Sequence, residues 1–215
     1  VPDSTFKERE MGFGLLLIRV VVGTIMAAHG AQKWFGWFGG HGLAGTGGWL
    51  GSMGFKPERF HAQAVAAAEF IGGLLMIFGL FTPFAAAAVI GVMIVAVATV
   101  HWSNGPFNTE GGYEFNAVLA AAAAALAFTG AGRLSLDNAL DTGMRGLLWG
   151  FAAIALGGLS AVLTLASRQT TASPDAVAVE ESDPTRELVV DLSNGEDEPI
   201  VDRDATFDSD VWARR

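Results

Sequence analysis

The amino-acid sequence predicts an all-α integral membrane protein: a four-helix bundle, a fifth transmembrane helix and an extended acidic C-terminal tail. Three observations predict this class. Of 215 residues, 51% are hydrophobic and only 16% are charged, against about a quarter charged in a soluble domain. The hydrophobic residues gather into five runs near the roughly 20 residues that cross a hydrocarbon core of about 30 Å. The charges are also segregated. Residues 1–167 hold eight Lys/Arg and nine Asp/Glu, a net of −1, whereas residues 168–215 hold five and thirteen, a net of −8. The acidic balance therefore belongs to the tail, and body and tail are read separately.

Residues 1–10 form a polar N-terminal segment. The first span runs from Met11 to about Ala28, interrupted only by Arg19, and is too long for a signal-peptide core. Gly30 to His61 is rich in Gly and Trp and reads as an interfacial loop or re-entrant element, because Trp favours the membrane–water boundary. Ala62 to Phe81 is the second span and carries one acid, Glu69. Thr82-Pro83 turns the chain so sharply that Phe84 to Val100 must return antiparallel to it. His101 to Glu114 is a polar loop with turn signals at Asn104-Gly105-Pro106 and Gly111-Gly112. Phe115 to Thr129 is a short, alanine-rich fourth span, followed by a connector from Gly130 to Thr142. The fifth run lies within 143–167, and the acidic tail occupies 168–215. Small residues stud the spans, notably Gly72, Gly73, Gly91, Gly157 and Gly158. In lipid they let helices approach closely, where no hydrophobic force drives them together.

The composition excludes several chemistries. Without cysteine the chain offers no disulfide, thiolate metal site, thioether-linked haem or persulfide. Its four histidines lack an i, i+4 spacing and so give no metal signal, and none is paired across spans for haem. Gly36-Trp37-Phe38-Gly39-Gly40 has neither the preceding strand nor the following Lys-Ser/Thr of a phosphate loop. No basic patch suggests nucleic acid.

Because spans alternate in direction, one membrane face collects most of the titratable groups. His29, Lys33, His61, Glu69, His101, Trp102, Asn108, Tyr113, Glu114 and Asn116 lie there or point towards it. Arg19 precedes His29 by about 15 Å of helical rise and Glu69 follows His61 by about 12 Å. If both histidines mark the same level, Arg19 and Glu69 form an intramembrane ion pair, since buried charges pair or line a cavity. The functional alternative is a polar pocket with Glu69 as its floor. Histidines and carboxylates at that face could hydrogen-bond a quinone head group and relay its protons. The residues of such a pocket are His29, Lys33, Glu69, His101, Trp102, Tyr113 and Glu114. Basic residues do not decide the orientation. The N-terminus is taken as cytoplasmic, because Glu110 and Glu114 then face outward without basic neighbours, and five spans put the tail outside.

These residues resemble a known family. His29-Gly30-Ala31-Gln32-Lys33-Trp34-Phe35-Gly36, the stretch from Gly39 to Phe55, Glu69 in a Gly-rich helix, and Gly79-Leu80-Phe81-Thr82-Pro83 are similar to DoxX family sequences. The most specific match is His101-Trp102-Ser103-Asn104-Gly105-Pro106-Phe107-Asn108, continuing to Gly111-Gly112-Tyr113-Glu114. The resemblance covers roughly residues 11–137 and implies a DoxX-like four-helix membrane bundle. It also implies association with redox complexes: quinol oxidases, thiosulfate:quinone oxidoreductases or, in actinobacteria, a superoxide dismutase-linked oxidative-stress complex. The fifth helix and the tail depart from the short family pattern. The first expectation is therefore an accessory subunit of a bacterial plasma-membrane respiratory assembly or supercomplex. It would dock or stabilise cytochrome or oxidase subunits through those two additions, without itself being an enzyme. The alternative is a quinone-reactive oxidoreductase subunit, and a third reading is a lipid- or solute-binding membrane protein.

Overall fold

In a computed structural model of the chain, residues 4–169 are described. The tail, and with it the expected docking of an acidic segment, lies almost wholly outside the described residues. Among the described residues the protein is helical throughout: α1 Ser4–Phe35, α2 Gly42–Ser52, α3 Glu58–Phe78, α4 Thr82–Ala96, α5 Glu114–Thr129, α6 Leu136–Ala139 and α7 Leu147–Ala166. Four of these are long and apolar enough to cross a membrane: Glu10–Phe35, Glu58–Phe78, Thr82–Asn104 and Leu147–Ala166. With 16 residues, α5 spans about 24 Å and falls short of a full crossing.

Close backbone approach sets the helix register. A Cβ on Gly73 would lie 2.6 Å from the Gly23 carbonyl oxygen, and one on Gly30 would lie 2.6 Å from Phe70 Cα. Glycine at these three positions lets α1 and α3 pack antiparallel with residue numbers summing to about 100. The turn into α4 is equally specific. Gly79, at φ 62°, ends α3 with Leu80 N–H donating to Leu75 O at 2.9 Å, a left-handed cap that glycine adopts without penalty. Thr82 then opens α4 with proline in its first turn, where no amide hydrogen is needed.

Asp137 locks this turn from across the molecule. Its carboxylate accepts from Phe81 N at 2.8 Å, Thr82 N at 2.9 Å and Thr82 Oγ1 at 2.6 Å. It thereby occupies the orphan amides at the start of α4, where a negative charge also meets the positive end of the helix dipole. The segment 130–142, expected as a plain connector, thus contains the short helix α6 and a buried carboxylate that organises a distant turn.

The structure adds detail at two further places. The stretch from Gly30 to His61, expected as an interfacial loop or re-entrant element, is largely helical: α1 continues unbroken to Phe35, and Gly42–Ser52 forms α2. Glycine-rich α2 has poor intrinsic helix propensity. Tertiary burial holds it, since Leu50 packs with Phe55 and Ala62 in a small apolar cluster. The fifth span, an addition to the short family pattern, is packed into the bundle. It packs chiefly on α4 and also on α5, and a Cβ on Gly157 would come within 2.8 Å of Ala87 O. The main core runs along α1, α3, α4 and α5 and takes in Ala153 of α7.

Candidate functional site

The helix directions bring the C-terminal ends of α1, α4 and α7 and the N-terminal end of α3 to one face. A cavity of about 960 Å³ opens there, lined by residues of α1, α3, α4, α5 and α7 and by the α2–α3 connection. His29, Lys33, Glu69 and His101 all contribute to its wall.

Each polar side chain is held by its own helix or by a neighbour. His29 lies one turn after Ile25 and donates Nδ1–H to the Ile25 carbonyl at 2.9 Å. A carbonyl can only accept, so Nδ1 carries a proton, and in the neutral imidazole Nε2 is then the acceptor. His101 reaches the same state by another route. The last turn of α4 widens into a π-helix over Val97–His101, which rotates His101 away from its α-helical position, as π-bulges do at many functional sites. Its Nδ1 then donates to Gly111 O at 2.7 Å, again leaving Nε2 to accept. Glu69, 4% exposed, accepts from Lys33 Nζ at 2.6 Å. The site therefore combines a fixed ion pair with two imidazoles in a defined tautomer.

The Arg19–Glu69 pair does not form. The α1–α3 register sets Glu69 close to the level of His29, whereas His61 lies about 12 Å nearer the face. Those two histidines are not level, and Arg19 falls about 18 Å from Glu69 by the helical rise. Arg19 instead packs against Gly79, is completely buried, and donates Nη2 to Leu134 O at 2.6 Å. The charge of Asp137 attracts it, which relieves part of the cost of a cation at that depth. Arg19 Nε and Nη1 have no hydrogen-bond partner among the described residues.

Trp102, Tyr113 and Glu114 stand beside the cavity without lining it. Trp102 is largely exposed and stacks on Tyr113 with ring centroids 5.6 Å apart. Glu114 Oε1 accepts from Asn108 N at 2.7 Å. Together with Tyr113 N→Gly105 O and Glu114 N→Pro106 O, these contacts fold residues 101–114 into a tight loop. That loop supplies the carbonyl that orients His101, so its residues position the site from behind.

Several wall residues were outside the sequence-derived pocket. His61 Nε2 is 3.3 Å from both Lys56 O and Ser167 Oγ, and buried Asn116 donates to Met93 Sδ at 3.5 Å. Both are polar residues facing the bundle from a span end, and that was the available signal. Ser160, Thr164 and Ser167 of α7 carried no such signal, since their place depends on α7 packing against α4.

Known proteins match this arrangement along most of its length. The DoxX family model matches residues 14–102, which hold every polar cavity residue named above except Asn108, Asn116 and the α7 hydroxyls. A second model, described as TQO small subunit DoxD, matches residues 61–152 and so reaches into α7. The chain is 37% identical over 124 residues to "Putative oxidoreductase CatD" of Bacillus subtilis (strain 168), covering 58% of this chain and 84% of that protein. No solved structure matches the chain. On the two family matches and the extent of the Bacillus relative, the chain belongs to the DoxX family.

Proposed function

We propose that this protein is the quinone-handling subunit of a membrane oxidoreductase, binding the quinone head group in the cavity at the ends of α1 and α4. The observation that carries this reading is the convergence of His29, Lys33, Glu69 and His101 on one cavity, with both imidazoles prepared as Nε2 acceptors. As the two electrons of a quinol leave, each of its two hydroxyls would pass its proton to one of those nitrogens. A quinone carbonyl would accept from the Lys33 ammonium, which donates one hydrogen to Glu69 and keeps others available. Electrons come from or go to a partner subunit, an oxidase or a comparable electron-carrying assembly. The oxidoreductase name of the Bacillus relative and the DoxD match support the redox class.

The accessory docking role has less support than this one, because α7 serves as a cavity wall as well as an outer surface. Its other basis, the acidic tail, lies outside the described residues. We further assign the protein to the bacterial plasma membrane with its N-terminus cytoplasmic, so that the cavity opens towards the outer leaflet.

The test is quinone occupancy of the full-length protein in mild detergent, measured by extraction and chromatography. Losing one hydrogen bond to the head group is worth about 1.4 kcal/mol or tenfold in affinity. His101→Leu and Lys33→Met should each lower occupancy by about that factor. Occupancy unchanged in both variants would refute the assignment.

A further inference from the structure

We propose that the cleft between α3 and α7 is the lateral portal through which the apolar chain of a membrane quinone passes from the cavity into lipid. This rests on the quinone reading above and extends it to the part of the ligand that the polar residues cannot hold.

The cleft follows from the packing. Helices α3 and α7 both lie on α4 but scarcely touch each other. The void between them belongs to the same cavity that reaches Glu69. Its floor is cut by Ala88 and Gly91 of α4, and its lips are Ala64 of α3 and Leu163 of α7, both open to the surroundings. Along α7 the lining runs from Leu156 to Ser167, about 16 Å by the helical rise. A cavity of about 960 Å³ sits at the upper end of the roughly 300–1,000 Å³ usual for ligand pockets. That is more than a quinone ring requires, which leaves space for the start of a chain.

Two details argue for a hydrocarbon occupant. The hydroxyls of α7 that face the cleft are already satisfied by their own helix: Ser160 donates to Gly157 O at 2.8 Å, Thr164 to Ser160 O at 2.8 Å and Ser167 to Thr164 O at 2.6 Å. They present methylene and methyl surface rather than free donors, so nothing in the groove asks for a polar ligand. The aqueous end of the cleft is also bridged. Ser167 Oγ meets His61 Nε2 at 3.3 Å, Gln169 N donates to Gly54 O at 2.8 Å, and the Arg168 guanidinium lies 6.0 Å from the Phe55 ring centroid. With that end tied, the opening that remains on this side faces the bilayer. An amphiphile with its head at Lys33 and His29 has a continuous apolar route out between Ala64 and Leu163.

The experiment compares two ligands on the full-length protein in mild detergent: a long-chain prenyl naphthoquinone, and menadione, which carries the same ring without the chain. Ala64→Trp and Leu163→Trp narrow the portal from opposite lips, and neither position contributes buried packing. Val118→Trp, on the lipid-facing side of α5 at 66% exposure, is the control. Each lip variant should weaken the long-chain quinone about tenfold, the scale of forcing side-chain volume into occupied space. Menadione binding should stay unchanged in all three. Equal weakening of both ligands, no weakening of either, or the same loss in Val118→Trp would overturn the portal while leaving the head-group site standing. Failure of the unaltered protein to bind either quinone would overturn the site itself, and the portal with it.

Discussion

The Lys33–Glu69 ion pair should be worth several kilocalories per mole, and a double-mutant cycle can measure it. The two charges are 2.6 Å apart with side-chain exposures of 22% and 5%. At an effective dielectric constant of about 20, a 2.6 Å separation corresponds to about 6 kcal/mol of attraction. Desolvation of both ions offsets much of that, and breaking such pairs costs about 3–5 kcal/mol when both partners are buried. Lys33 keeps contact with the open cavity, so the ammonium left alone in Glu69→Gln is partly hydrated. That variant should lose about 2 kcal/mol. Lys33→Met strands the more buried carboxylate and should lose about 3 kcal/mol. The double variant removes both charges and should lose only about 2 kcal/mol, a coupling of about 3 kcal/mol. The assay is SDS titration of the full-length protein in mixed micelles, followed by far-UV circular dichroism. Additive single losses, within about 0.5 kcal/mol, would refute the pairing. The reverse order of the two singles would contradict the burial argument.

Other consequences follow from the packing. Asp137→Ala removes three acceptor contacts at the start of α4 and should cost about 3 kcal/mol in the same titration; a loss under about 0.5 kcal/mol would mean the turn is held otherwise. Gly73→Leu should separate α1 from α3, because its Cβ would meet backbone atoms of Gly23 and Ala27 at 2.6 and 2.9 Å, and backbone cannot step aside. An unchanged denaturation midpoint for that variant would contradict the close approach. A chain ending at Gln169 should fold and elute as the full-length protein does, whereas one ending at Thr142 should aggregate through the uncovered face of α4. Normal behaviour of the shorter chain in gel filtration would show that α7 is dispensable.

Much of the fold was legible because membrane spans carry a strong one-dimensional signal. The apolar runs beginning at Met11, Ala62, Phe84 and Gly143 correspond to the four long spans, and Gly79 to Pro83 forms the expected turn. The convergence of His29, Lys33, Glu69 and His101 on one face was legible too, since it needs only alternating span directions. What was not legible depended on register. The Arg19–Glu69 pairing assumed that His29 and His61 share a level, whereas the glycines of α1 and α3 slide the helices to a different alignment. The partners of Arg19 and Thr82 come from Leu134 and Asp137, in a connector that has no hydrophobic pattern to reveal it. Similarly, Gly42–Ser52 reads as a loop by propensity, and only its packing through Leu50 makes it helical. Trp102, Tyr113 and Glu114 sit in the loop that orients His101 but face each other and the loop backbone. Sequence adjacency to His101 could not distinguish lining a cavity from bracing it.

Everything proposed for this protein depends on the cavity at the ends of α1 and α4 receiving a quinone head group. Photolabelling the full-length protein with an azido-quinone, followed by peptide mass spectrometry, reads out that contact at residue resolution. Adducts are expected on residues 25–33, 61–69 and 91–101, which border the cavity, and should disappear when unlabelled quinone competes. Adducts spread over lipid-facing positions such as Val118 and Leu147, unaffected by competitor, would contradict it.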